Sequence, residues 1–246
     1  MNQGSLYWLH KTKFICGLNM AYQATIKTEE NKLNRRKKIV EVAKLRIKAS
    51  GFSGVSMVNI AKEVGVATGT LYRYFPSKQD LCTEVFRIYT EIEVQHIDEL
   101  AHRSGLNAAE KLQSALEAFA FRAIKSRQLA WSLIAEPLDP MLEAARLHYR
   151  QSYADIYEQL IEEGVRQQLF LPQIASVSAA AIVGALAESL VGPLSLLVEE
   201  QGKTVKSSTN EIQNDQIIPN DQIIQNIVAF CLSALGYQAN KTQQSI

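Results

Sequence analysis

The sequence predicts an all-α protein in two parts, a small three-helix unit followed by a larger helical body. Three observations lead there. Apolar residues recur at helical spacing from Asn34 to Leu235, no stretch shows the alternation of a half-buried strand, and Gly, Pro, Ser and Asp fall where helices stop and start. With 246 residues and 47% hydrophobic content, the chain can bury a sizeable core.

Residues 1–33 have no sustained periodicity and read as a disordered leader, with Met20 as an in-chain alternative start. The first helix begins at Asn34, with Ile39, Val42, Ala43 and Ile47 on one stripe and Gly51 as its stop. Ser56 caps a second helix with Met57, Ile60, Ala61 and Val64 inward, closed by Gly65. The third lies in "ATGTLYRYFPSK", residues 67–78. There Leu71 and Phe75 share one face, Gly69 and Arg73 point the opposite way, and Thr70, Tyr72 and Tyr74 occupy the flanks. A helix this short needs tertiary contacts to persist. Pro76 ends it, and Ser77 with Asp80 caps a long fourth helix whose predicted stripe is Val85, Tyr89, Ile92 and His96.

Further helices are expected at 107–125, with Leu112, Leu116, Phe119 and Ala123 inward, at 128–135, ended by "EPLDP", and at 141–168. In the last, Leu142, Ala145, Tyr149, Tyr153, Ile156 and Leu160 face inward. Segments 176–197 and 221–235 are rich in small and apolar residues and nearly uncharged, a composition suited to burial against a partner chain. Between them, residues 199–219 form a polar loop; "NDQIIP" within it is followed at once by "NDQIIQ", read as a surface insertion. The expected domains are 34–80, 81–238 and a tail at 239–246.

Charge divides along the chain. Residues 31–80 hold 11 Lys and Arg against 3 acids, a net +8, while the remaining chain carries −7. A basic module on an acidic body is the footprint of a polyanion binder, or of a solvated charged face. Cys16, Cys82 and Cys231 fit neither a disulfide ladder nor a metal pattern, which suits a reducing cytosol. No apolar run is expected to reach the roughly 18 residues of a membrane span, so the chain reads as cytoplasmic with no membrane partner. His10, His96, His102 and His148 form no ligand pair, and no phosphate-binding Gly-rich loop or nucleophile motif appears. Neither an enzyme nor a cofactor or metal site is expected.

Two helices joined by a turn at Gly65, the second short and rich in small and aromatic residues, make a helix-turn-helix whose second helix enters the DNA major groove. Gly69 lets the backbone approach closely. Thr68 and Thr70 can reach base edges or phosphate, and Tyr72, Arg73 and Tyr74 phosphates and thymine methyls. The helix starts at Ser56 and Ser77 can hold phosphate, with Lys78 adding charge beside the second.

The stretch "GFSGVSMVNIAKEVGVATGTLYRYFPSKQDL", residues 51–81, resembles the DNA-binding motif of the TetR family of one-component transcriptional regulators. The pattern is a Gly-aromatic after helix one, an I-A-x-x-x-G-V turn and a G-T-L-Y-x-Y-F-x-S-K recognition segment; the match covers roughly residues 34–82. By that resemblance Ser56, Thr70, Tyr72, Tyr74 and Lys78 fall where family members contact operator DNA. Departures are Ala67 and Thr68, where the family often has Ser and a cation, and Arg73 at a commonly His position. Arg46, where an apolar residue is usual, is expected to snorkel at the edge of the small domain. The run Arg35, Arg36, Lys37, Lys38 reads either as an arm on the DNA backbone or as a solvated helix start.

The resemblance further implies a homodimer formed by the last two helices and an inducer cavity among the middle ones. Ala180, Gly184 and Ala185 would permit close helix approach. Two-fold symmetry sets the recognition helices about 34–36 Å apart and predicts a near-palindromic double-stranded operator. For the cavity the candidates are Phe119, Trp131, Tyr149 and Tyr153, with His96 as a polar contact, which favours an apolar or aromatic small-molecule inducer. The resulting expectation is a homodimeric repressor released by ligand. The alternative is a helical small-molecule binding or adaptor protein that keeps the fold without specific DNA recognition.

Overall fold

Capping chemistry sets the first helices. In the computed structural model, which describes residues 28–195 and 219–237, α1 covers residues 28–50 and ends at Gly51. With φ at +73°, that position suits only glycine without strain. α2 (Met57–Val64) starts at Ser56, whose hydroxyl accepts from the Asn59 amide at 3.4 Å, and closes at Gly65 with φ at +80°. α3 (Thr68–Tyr74) has Ala67 at its N-cap and therefore no side-chain cap. α4 (Lys78–Ala101) starts at Ser77, which accepts from the Asp80 amide at 3.0 Å and donates to its carboxylate at 2.6 Å.

The larger body contains α5 (Ala108–Lys125), opened by an Asn107–Glu110 capping box, α6 (Arg127–Ile134), and α7 (Pro140–Arg166), where the Asp139 carboxylate accepts from the amides of Met141 and Leu142. α8 (Ala175–Leu194) and α9 (Asn220–Ala234) complete it, and no strand occurs among the described residues. The all-α, two-part expectation holds.

Two cores result. One gathers Ile39, Ala43, Ile47, Ile60, Val64, Leu71 and Phe75 of the small domain with Leu81, Val85 and Phe86 of α4 and Leu142 of α7. The other joins Ile97, Leu112, Leu116, Tyr157, Ile161, Leu190 and Cys231 across α4, α5, α7, α8 and α9. α4 is thus built into both, its first half in the small core and its last turns in the large one.

Several expectations shift. α1 is helical by residue 28, so residues 28–33 do not belong to a structureless leader; this polar stretch lacks the apolar rhythm by which a helix is read. Residues 1–27, with Cys16 and Met20, lie outside the described residues, as do residues 214–218 of the first hexapeptide copy and the 239–246 tail. The second copy, residues 220–225, forms the first turns of α9. On α4 the stripe is rotated: Leu81, Cys82, Val85, Phe86, Thr90, Ile97 and Ala101 are buried, whereas Ile92 and His96 are exposed. Thr90 can be buried because its hydroxyl donates to the Phe86 carbonyl at 2.8 Å.

The expectation on membrane spans also needs correction. α8 is 20 residues long with a mean hydropathy of 1.7, long and apolar enough to cross a membrane by length and composition. Its interspersed Ser and Gly and the single charge at Glu188 obscure that in the sequence. In the fold α8 packs on α5, α6, α7 and α9, yet only 28% of its most apolar window is buried. Burial holds both described cysteine thiols protonated, Cys82 at about 12 and Cys231 at about 11.

Candidate nucleic-acid interface and the cavity behind it

α3 is held by one face. Leu71 is fully buried and Phe75, just past the helix end, is 3% exposed, while Gly69, Tyr72 and Arg73 face outward, Tyr72 at 45% exposure. A Cβ built at Gly69 would meet no protein atom within 4 Å. Thr68 and Thr70 are half-buried at the helix start. Tyr74 is half-buried because its ring packs on the small core, which leaves less of it to present than of Tyr72. Ser56 and Lys78 stand at the starts of α2 and α4. The Lys78 ammonium already donates to the Ser53 carbonyl at 3.1 Å, which leaves two of its protons for another acceptor.

Part of the basic window is engaged within the protein's own structure. Arg36 pairs with Glu84 at 2.9 Å and stacks over Phe75, Lys44 pairs with Glu41 at 3.0 Å, and the Lys38 ammonium donates to the Val64 carbonyl at 3.1 Å. Arg46 does more than snorkel, since it forms an ion pair with Glu63 of α2. Arg35, Lys37, Lys62 and Arg73 remain exposed. The surface around α3 therefore keeps cationic character after its internal pairs are formed.

A junction not anticipated from the sequence ties this domain to the larger body. The buried Glu136, in the turn after α6, accepts from the amides of Phe52 and Ser53 at 3.0 and 2.8 Å. Burial disfavours its charge, but those amides and the Ser132 hydroxyl outweigh it and hold the carboxyl below its ordinary value. A Cβ on Gly51 would stand 2.6 Å from a Glu136 carboxylate oxygen, so the turn needs glycine for space as well as for φ. The buried Arg146 of α7 donates to the carbonyls of Leu133, Ser132 and Glu136 at 3.0, 3.3 and 2.7 Å, capping the end of α6, and pairs with Glu143 at 2.9 Å. The Pro-flanked acidic turn "EPLDP" was legible as a break, not as a clamp.

Arg146 also borders a partly open cavity of about 260 Å³ lined by α4, α5, α6, α7 and α8. Phe86, Phe119, Leu129, Leu133 and Leu186 give it apolar walls, and Tyr149, Tyr153 and Tyr157 line it from α7. Phe119 and Tyr153 meet edge to face at 5.6 Å between ring centres. Arg122 grips Glu93 through bonds of 2.6 to 3.0 Å on the wall. Burial raises the Tyr153 and Tyr157 hydroxyls above their ordinary value, so both are neutral.

Of the five residues expected at the cavity, Phe119, Tyr149 and Tyr153 line it, whereas Trp131 packs into the large core beside it. His96 is exposed on α4 with its Nδ1 2.8 Å from the Ile92 carbonyl, away from the cavity because the buried stripe of α4 is rotated relative to the predicted one. Tyr157 was missed, although it follows Tyr149 and Tyr153 at four-residue spacing on α7. No cluster of three metal-ligating side chains occurs among the described residues.

Residues 39–85 match the model of the bacterial regulatory proteins of the tetR family. The N-terminal domain belongs to that family. A helix-turn-helix-type transcriptional regulator of Staphylococcus aureus strain USA300 is 38% identical over 65 residues, 26% of this chain. That alignment spans only 35% of the relative's length. Among solved structures, the fatty acid degradation regulator FadR from Bacillus halodurans superposes with a TM-score of 0.63 at 20% identity, covering 83% of this chain and 97% of FadR. AibR, in complex with isovaleryl coenzyme A and operator DNA, gives 0.55 at 18% identity, covering 80% of this chain and 97% of AibR. The tetR-family assignment thus rests on the DNA-binding end, and the body beyond it is alike in fold.

Proposed function

We propose that the protein is a cytoplasmic DNA-binding transcriptional regulator, a homodimeric repressor released from a near-palindromic operator by a small apolar or aromatic ligand. The observation that carries the reading is the outward face of α3, where Gly69, Tyr72 and Arg73 stand free of the protein's own packing on a helix locked from behind by Leu71 and Phe75. Tyr72 and Arg73 reach phosphates and base edges there, and Ser56 and Lys78 take the flanking backbone.

Dimerisation is supported by what α8 and α9 leave uncovered. Val177 and Phe230 are 62% and 63% exposed, and Ala180, Ala181 and Gly184 are exposed beside them. A second copy would cover that small-residue and apolar surface. The aromatic cavity is the inducer site in this reading. Occupancy would bear on Arg146 and the end of α6, and through Glu136 on the Phe52–Ser53 turn that precedes α2, so that ligand and operator favour different domain arrangements.

The test is binding to the DNA upstream of the protein's own gene, against scrambled DNA, across a salt series. Selective binding at two chains per site is expected, and Tyr72→Ala should weaken it at least about tenfold with folding and dimerisation unchanged. Equal binding of both DNAs, or an unaffected Tyr72→Ala variant, would overturn the operator-reading role.

A further inference from the structure

We infer that the cavity takes an organic anion, its apolar body among the helices and its charged group held at the mouth by Lys125 of α5 and Arg150 of α7. The inference rests on the reading of the cavity as a ligand site and adds the sign of the ligand's charge. Four cations line the cavity, Arg122, Lys125, Arg146 and Arg150, against one acid, Glu93. Arg122 takes both oxygens of Glu93 through bonds of 2.6 to 3.0 Å, and Arg146 pairs with Glu143 at 2.9 Å and donates to three carbonyls. Lys125 and Arg150 are left over. Both are exposed, and neither forms an ion pair among the described residues; Lys125 rests only over the exposed Phe121 ring, 5.9 Å from its centre.

Unanswered positive charge at the edge of an apolar cavity acts beyond its own contacts, because walls of low dielectric focus the field into the opening and raise the local concentration of anions. Arg146 carries the same imbalance on the wall. Burial first, then the like charge of Arg150 one turn along α7, draw its pKa below the ordinary value against the opposing pull of Glu143 and Glu136. Tyr153 and Ser126 also line the cavity, and their hydroxyls, without a partner among the described residues, can donate to an anion. A ligand cation would find no such welcome, since the one carboxylate on the wall is already held by Arg122. Phe86, Phe119, Leu129, Leu133 and Leu186 make the interior apolar, so the charged group stays at the mouth, where it keeps part of its hydration and escapes most of the cost of burial.

Three probes of similar shape and different charge test this: 2-naphthoate, 2-naphthamide and 2-naphthylmethylammonium. Each is titrated by equilibrium dialysis against the full chain and its Lys125→Gln, Arg150→Gln and doubly substituted variants. Both positions are exposed, so the variants should melt as the unaltered protein does. 2-Naphthoate should bind at least about fivefold more tightly than 2-naphthamide, by a margin that shrinks as salt is added, and the ammonium probe most weakly. Each single substitution should weaken 2-naphthoate about two- to threefold and the double about five- to tenfold, the range of partly solvated charge pairs, while 2-naphthamide stays within about twofold. Tightest binding by the amide or the ammonium probe, or a double variant that leaves 2-naphthoate unmoved or weakens both probes equally, would overturn the inference and keep the cavity as a ligand site. Binding by none of the three would overturn both. The regulator reading is judged separately, by the ligand-free protein on operator DNA.

Discussion

Around the small core Ile39, Ala43, Ile47, Ile60, Leu71 and Val85 are all at 0% exposure, whereas α4 to α8 leave a cavity of about 260 Å³ between them. Protein interiors ordinarily pack to crystal-like density with few voids. The cavity lies where the two cores meet, with Phe86 of the small one and Leu186 of the large one on its wall. The difference follows from what each must do. A seven-residue helix with no side-chain cap keeps its position only if its two anchors are gripped tightly, while the ligand site proposed for the body requires room among its helices.

The comparison predicts unequal responses to the same truncation. Leu71→Ala should lower the unfolding free energy by about 3–4 kcal/mol, because the deleted atoms leave a new void in a filled core. Leu186→Ala, on the cavity wall, should cost about 2 kcal/mol, since it widens a space that already exists and loses mainly the transfer contribution. Urea denaturation of both variants checks this. Equal losses would mean that the cavity closes in solution and that the two cores are filled alike.

The junction between the cores is the next place to press. Glu136→Gln puts an amide N–H against one of two backbone donors that the carboxylate now satisfies, so a loss of about 1–3 kcal/mol is expected. The pH dependence has a defined sign. The folded-state carboxyl lies below its ordinary value, so its stabilisation is present above the unfolded pKa of about 4.3 and is lost as pH falls through the folded value. Denaturation curves between pH 6 and 3 should therefore converge for the two proteins on the acid side. A gap that persists to pH 3 would show that Glu136 acts by shape and not by charge.

How much was legible in the sequence also divides between the two regions. In the small domain spacing and capping residues act locally: Ser56, Gly65, Ser77, Leu71 and Phe75 stand in the places their chemistry predicts. In the larger body helix existence was readable, with α5 to α9 within a few residues of expectation, but facing was not. α4 serves two cores at once, so no single stripe describes it, and His96 was assigned to the wrong side for that reason. Glu136 and Arg146 were invisible because their partners are 83 or more residues away for the first and backbone carbonyls for the second, neither of which leaves a mark in composition. The Tyr72 side chain could be placed because a two-turn helix has too little surface to hide both flanks; a 27-residue helix such as α7 has no such constraint.

The smallest change in stability belongs to the position that separates folding from recognition most cleanly. Gly69 sits inside α3 with no protein atom within 4 Å of the Cβ it lacks, and its φ is not in the left-handed region. Packing gives no reason for glycine there, and helix propensity argues against it, since alanine is favoured over glycine by up to about 0.5–1 kcal/mol in a helix, less in its first turn where Gly69 stands. The close approach of another molecule is a reason. Gly69→Ala should therefore raise the melting temperature slightly while operator affinity falls, with the added methyl lying between α3 and the groove. Thermal unfolding and operator titration on the same preparation test both halves. Affinity unchanged in the stabilised variant would move the contact away from the helix start and leave Tyr72 and Arg73 as the reading residues.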